Sequence, residues 1–249
     1  MKHRDLRPVI AALDVRDVGD LVEVTLNRPR QLNALSISML DGLEEALELA
    51  GNRPVLLAAT GPYFSSGADL NDAREIVRAS GASTLVDRFR KTFEVVTRHP
   101  AVVVCELQGT AYGGGLELAL ACDYVVASPE ARLSDFHARA GLVPGAGGFT
   151  LVASRVGLAR AHLFILSGRE VSAEEAFALG LVDEVVEAAA DLRHAAVTTA
   201  ESLMMSPEAV RMGKKLRADA LWKSEQADQE RQLAGQALER LLSMTPTTA

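Results

Sequence analysis

Apolar positions along the chain change their spacing in a way that separates strands from helices. Leu21–Leu26 alternates enough to form a strand, and Asn27-Arg28-Pro29 closes it as a turn. Met39, Leu43, Ala46, Leu47 and Ala50 then recur at helical spacing, with Ser38 placed to cap that helix. Residues 54–59 form a short apolar run suited to a buried strand and lead into a loop over 60–70. A helical pattern at 85–97, a strand at 102–107, a glycine-led apolar helix and a strand at Tyr124–Ala127 repeat the order. Such alternation predicts an α/β layout with the functional loops at the strand ends.

Beyond the glycines of 144–148 the pattern becomes helical. Ser172-Ala173-Glu174-Glu175 reads as a capping box, Gly180 as a helix stop, and Ser206-Pro207-Glu208 as a cap followed by a first-turn proline. Leu221, Leu233, Leu238 and Leu242 predict one long terminal helix before a loose tail over 246–249. The chain therefore divides into an α/β core over 1–190 and a helical region over 191–249 of the kind that packs on a neighbouring subunit.

Composition narrows the classes of function. A net charge of −7 and a pI near 5.3 oppose non-specific binding to nucleic acid or anionic membranes. The two cysteines, Cys105 and Cys122, lie in apolar stretches and suit buried thiols in a reducing compartment, so a cytoplasmic location is expected. The N-terminus has no apolar leader segment and no uncharged run reaches membrane-spanning length. His3, His99, His137, His162 and His194 are scattered without ligand spacing, so no metal site is expected.

The chemistry concentrates in Gly113-Gly114-Gly115-Leu116-Glu117, where glycines run into a helix carrying a carboxylate in its first turn. Free N–H groups and the positive end of the helix dipole would face a bound anion there, and Glu117 would overhang the spot at which the Gly114 N–H points. Close packing with a capping glutamate is the alternative for that segment taken alone.

Four segments together resemble the enoyl-CoA hydratase/isomerase (crotonase) superfamily. They are Asn27-Arg28-Pro29-Arg30-Gln31-Leu32-Asn33-Ala34-Leu35, Phe64-Ser65-Ser66-Gly67-Ala68-Asp69-Leu70, the run from Gly109 to Asp123, and Pro144-Gly145-Ala146-Gly147-Gly148. Ala173-Glu174-Glu175-Ala176 leading to Gly180-Leu181-Val182 adds a fifth match, so the resemblance spans about residues 20–215. It implies a spiral of β-β-α turns with a C-terminal helical region, assembled as a homotrimer or a dimer of trimers. It implies an acyl-CoA thioester as the partner, with coenzyme A carried by the substrate and no separate cofactor. By motif position, the N–H groups of Ala68 and Gly114 form the oxyanion hole, and Arg30, Leu32, Ser66, Leu70, Tyr112 and Gly113 bind substrate. Arg30 is placed near phosphate, although a solvated arginine after a proline turn fits as well. A lysine common in the family is replaced here by Asn71, and Arg211, Lys214, Lys215 and Arg217 offer a compensating basic cluster or simply a solvated helix face. Asp69 and Asp123 read as structural, Asp69 as a helix cap.

One departure affects the reaction. Hydratases of this family pair the glutamate at the Glu117 position with a second one seven residues before the proline of the Pro-Gly-Ala-Gly-Gly motif, and here that position is His137. His137 would be an acid, held as imidazolium by Glu117 or Asp135, or else a base; a hydrogen-bonded loop histidine without a chemical role is the alternative. The segment from Ser134 to Pro144 resembles a branch with histidine here, some of whose members cleave β-diketones with an aspartate where this chain has Ala146. The leading expectation is therefore hydration of a 2-enoyl-CoA by a lyase using Glu117 and His137. Isomerisation, hydrolysis of a C–C or thioester bond, and acyl-CoA binding without catalysis are the alternatives.

Overall fold

Residues 5–6 and 12–244 of the 249-residue chain are described by the computed structural model. The expected tail at 246–249 and residues 1–11 apart from Asp5 and Leu6, His3 among them, lie outside them. The strands run β1 (Asp5–Leu6), β2 (Leu13–Val18), β3 (Leu21–Leu26), β4 (Val55–Ala59), β5 (Tyr63–Ser65) and β6 (Val103–Leu107). β7 (Thr110–Tyr112), β8 (Tyr124–Ala127), β9 (Arg132–Ser134), β10 (Val171–Ser172) and β11 (Glu184–Val185) complete them. Between them lie α1 (Ile37–Ala50), α2 (Leu70–Ser80), α3 (Ala82–Arg98), α4 (Gly114–Ala121), α5 (Gly148–Val156), α6 (Leu158–Ser167) and α7 (Ala173–Leu179). α8 (Leu192–Ser202), α9 (Pro207–Trp222) and α10 (Glu225–Met244) close the chain.

Two sheets share the strands. The larger has the order β1-β2-β3-β4-β6-β8-β11, antiparallel up to β3 and parallel from there; the smaller has the order β10-β9-β7-β5. Each turn of chain gives one strand to the large sheet, the next to the small one, and then a helix, as in β4-β5-α2, β6-β7-α4 and β8-β9-α5. The result is the expected spiral of β-β-α turns.

Strand alternation sorts the large sheet into two faces. Val55, Leu57, Val103, Cys105 and Val125 pack with α1, α3 and α4 in the main core, whereas Leu56, Val104 and Val126 pack against Leu192, Ala196 and Ala200 of α8. Near-continuous apolar runs in these parallel strands follow from burial on both faces. Cys105 and Cys122 are free and buried, as their surroundings predict.

Several elements differ from the sequence expectation. The small-sheet strand β5 falls inside the expected loop over 60–70, and β7 and β9 fall where no strand is predicted, because three residues are too few to show a period. Ser36, rather than Ser38, caps α1 by accepting a hydrogen bond from the Met39 N–H at 3.2 Å. The single terminal helix is two, α9 and α10, separated at Lys223 and Ser224. α10 folds back onto α3 and α5 of its own chain, and the Trp222 indole N–H reaches the Thr97 hydroxyl at 2.7 Å.

Asp123 proves structural. It accepts from the Val103 N–H at 2.8 Å and from Arg217 at 3.1 Å, and it pairs with the buried Lys214. Half of the basic cluster on α9 is thereby committed to the core, which removes Lys214 and Arg217 as free phosphate ligands. Asp123→Ala strands Lys214 in a low-dielectric interior and is expected to cost about 3 kcal/mol, read as a lower urea midpoint.

Candidate active site

Backbone geometry at three glycines builds the site. Gly113 has φ +49, which L side chains rarely adopt, and the Cβ it lacks would lie in ordinary contact with the His137 ring at 3.6 Å. At Gly115 a Cβ would sit 2.4 Å from the Ser65 carbonyl oxygen, so α4 can only lie this close to β5 without a side chain. Gly67, with φ +96, lets the preceding loop run 3.2 Å from the Gly114 nitrogen, measured from the Cβ it lacks. The Ala68 nitrogen in turn lies 3.7 Å from the Cβ that Gly114 lacks. The N–H groups of Ala68 and Gly114 therefore come together at one end of α4, and neither has an acceptor among the described residues. Two free donors at a helix N-terminus suit a developing oxyanion.

A cavity of about 300 Å³ opens beside these donors. Glu117 and His137 both line it, with Ser66, Ala68, Leu70, Tyr112, Gly113 and Gly114. Arg30 and Leu32 do not line it. They sit in the exposed turn after Pro29, and the Leu32 carbonyl oxygen accepts the Ser66 N–H of the site loop at 3.0 Å. The rest of the lining is largely apolar and draws on Val86, Phe89 and Leu142, with Ala234 and Leu238 from α10. Ala146 lines the same cavity without supplying a carboxylate.

Glu117 is 2% exposed, and its Oε1 has no hydrogen-bond partner. Burial raises its carboxyl, the positive charge of His137 opposes that rise, and Asp135 and Glu230 add to it; the balance lies at about 7. Gly148 is required beside it, since a Cβ there would stand 2.8 Å from Glu117 Oε1, 3.3 Å from Asp135 Oδ2 and 2.5 Å from Pro144. Burial by itself would lower the His137 imidazole. The hydrogen bond and negative charge of Asp135, joined by Glu117 and Glu230, outweigh burial and hold it at about 9. Near neutral pH the cavity therefore presents a partly ionised carboxyl and an imidazolium.

Tyr112 is half-buried, its hydroxyl donating to Glu170 while its ring stacks on Phe136 with centroids 5.7 Å apart. Asp69 caps α2 through the Asn71 N–H at 3.0 Å and pairs with Arg28 at 3.0 Å, as a structural residue should. Glu230 carries no signal in the sequence, because its partners lie eighty and eighty-one residues away. This buried α10 carboxylate accepts the Phe149 N–H at 2.8 Å and the Thr150 N–H at 3.0 Å, capping α5 beside the site.

Comparison with known proteins points to one family. The family model described as enoyl-CoA hydratase/isomerase matches residues 18–243. The chain is 37% identical to human enoyl-CoA hydratase domain-containing protein 2, mitochondrial, over 82% of its own length and 73% of the relative. It is 32% identical to the enoyl-CoA isomerase/hydratase fer4 of Mycosarcoma maydis, covering 80% of this chain and 77% of that one. Among solved structures, the enoyl-CoA hydratase from Bacillus anthracis superimposes with a TM-score of 0.77 at 32% identity, over 94% of this chain and 92% of the other. Pseudomonas aeruginosa DspI gives a TM-score of 0.76 at 31% identity, over 94% and 96%.

Proposed function

The chain belongs to the enoyl-CoA hydratase/isomerase family, whose members act on acyl-CoA thioesters, and from that premise we propose that it adds water to a 2-enoyl-CoA. The observation that carries the reading is that Glu117 and His137 line one cavity beside the free N–H groups of Ala68 and Gly114. In the forward step the Glu117 carboxylate takes a proton from water as the water oxygen bonds to the β-carbon. The double-bond electrons move onto the thioester oxygen, where the two N–H groups hold the enolate. The enolate then collapses as the α-carbon takes a proton from His137 Nε2, and the proton on Glu117 returns the imidazole to its starting state. One water is added, and both residues are restored.

Incubation with trans-2-enoyl-CoA esters of graded chain length should remove the absorbance of the conjugated thioester and give a product heavier by one water. A product of unchanged mass with a shifted double bond would assign isomerisation instead, a reaction that Glu117 can run as a single base. No turnover at any length would overturn both.

The assignment of base and acid fixes the pH dependence. Glu117 has to be ionised to take a proton and His137 protonated to give one, so kcat/KM should rise through about 7 and fall through about 9. A profile flat from pH 6 to 10 would contradict both roles.

The trimer or dimer of trimers belongs to the same proposal. Leu158, Leu163, Leu166 and Phe177 on α6 and α7 are exposed, as are Met212 and Leu216 on α9, and two apolar faces of this kind suit two interfaces between copies. Sedimentation velocity at micromolar protein should therefore give three or six chains.

A further inference from the structure

We propose that Asp135 is a positioning residue of this site, whose buried carboxylate holds the His137 ring with Nε2 turned to the cavity as a proton donor and leaves Glu117 as the base. The inference rests on the hydratase reading for its chemistry but on geometry for its substance. Asp135 is 0% exposed and contacts His137 twice, accepting from the backbone N–H at 3.3 Å through Oδ1 and lying 3.2 Å from ring Nδ1 through Oδ2. A ring pinned at Nδ1 and at its own backbone has one nitrogen left to offer. Nε2 and Cε1 lie 3.9 and 3.6 Å from the Cβ that Gly113 lacks, next to the oxyanion donor at Gly114.

The backbone between the two residues is bent to make this possible. Phe136 is a non-glycine residue with φ +63, a conformation that costs about 1 kcal/mol or more and is kept where its surroundings enforce it. Here Phe136 is held by its stack on Tyr112 and by Arg139, whose guanidinium carbon lies 6.0 Å from the ring centroid. In an extended segment, side chains two apart share a face but stand parallel; the left-handed turn folds His137 back over Asp135 instead.

The three carboxyl groups around His137 favour the imidazolium. Asp135 precedes it, Glu117 faces it from α4, and Glu230 approaches from α10. α6, which packs on the turn over His137–Ala140, carries Arg160 and His162, both exposed to solvent. Arg139 is also exposed and lies against Phe136. Asp135 alone makes a direct bond, so it sets the orientation and the others add only charge. The ring raised to about 9 accords with this arrangement. The proton that His137 gives to the α-carbon leaves a neutral ring whose Nδ1–H still donates to Asp135, so the ring does not rotate between turnovers.

The test begins on the substrate-free protein, where it is independent of which reaction the enzyme runs. A ¹⁵N-histidine titration by NMR should show the His137 ring protonated on both nitrogens at pH 7.5 and losing its proton near 9. Loss near the ordinary 6.5 would overturn the proposal. In Asp135→Asn the ring should titrate below the wild-type value, and the alkaline limb of the rate profile should move down with it. Turnover at pH 8 should fall about 10²-fold. Asp135→Glu should keep the alkaline limb near the wild-type position. If His137→Gln has already lost this activity, adding Asp135→Asn should cost little more; a second full loss would mean that Asp135 acts through the fold and not through His137. A shifted NMR titration in a protein without hydratase activity would uphold Asp135 and reject the reaction.

Discussion

Glu117→Gln is expected to lose about 10³-fold in kcat on an enoyl-CoA while becoming more stable. The loss follows from removing the base: an amide keeps the shape and one acceptor but cannot take the water proton. The gain follows from burial. The Glu117 carboxyl moves from its ordinary 4.5 to about 7 on folding, so the folded chain holds a proton that the unfolded chain releases between those values. For that reason Glu117 costs nothing below pH 4.5, and its cost grows as pH rises to about 7. Above that it levels off at about 3 kcal/mol, taking 1.36 kcal/mol per pKa unit. The Gln variant carries no such penalty. It should melt with wild type at pH 4.5 and about 5–10 °C above it at pH 8, given the shallow dependence of melting temperature on stability for chains of this size. Scanning calorimetry at both pH values checks the sign, and equal melting at pH 8 would show that Glu117 is not held in a desolvated site. Lost activity with gained stability is the signature of a residue kept for chemistry at the expense of the fold.

The parts of this molecule that were legible in its sequence are those with a period or a mechanism. β3, β8 and α7 lie where alternation and caps place them, with Ser172 accepting the Glu175 N–H at 3.2 Å and Gly180 ending the helix in the left-handed region. The glycines around Glu117 were legible for a similar reason. Three in a row are costly without a reason, and here Gly113 is required by its φ of +49 and Gly115 by the Ser65 carbonyl oxygen 2.4 Å from the Cβ it lacks. What could not be read was whatever depends on distant partners. The small sheet is made of strands two or three residues long, too short for a pattern, and exists because parallel neighbours arrive from successive turns of the spiral. Ser36 and Ser38 are equivalent as caps on paper, and only the observed helix start separates them. Lys214 looked like a member of a surface cluster because its partner, Asp123, lies ninety-one residues away. Glu230 was silent for the same reason, since a glutamate on an amphipathic helix is ordinarily solvated. His137 illustrates the division within one residue. Its position was found by counting from Pro144, whereas its charge state depends on the turn at Phe136 and on three carboxyl groups from three parts of the chain.

Gly114→Pro is expected to lower kcat by about 10³-fold with α4 intact, whereas Gly114→Ala should retain most of the activity. The comparison separates the backbone donor from the added Cβ. Position 114 is the first residue of α4, where proline is well tolerated because the N–H there has no partner within the helix and the fixed φ suits the first turn. Gly113 precedes it, so the usual clash between proline and the side chain before it does not arise. Both substitutions add a Cβ, which meets Phe89 Cε1 at 3.3 Å, a contact that asks the ring to move by a few tenths of an ångström. That cost is common to the two variants and cancels in their ratio. What differs is the donor: alanine still points an N–H at the thioester oxygen, and proline presents carbon. Loss of one such donor costs about 10²–10³-fold in acyl-transfer enzymes, and here only Ala68 would remain to hold the enolate. The effect should appear in kcat more than in KM, because the bond tightens as negative charge gathers on the oxygen. Equal losses in the proline and alanine variants would assign Gly114 to packing against Phe89 and remove it from the oxyanion hole. A large difference between them would establish that the backbone N–H at position 114 and the space in front of it serve the reaction.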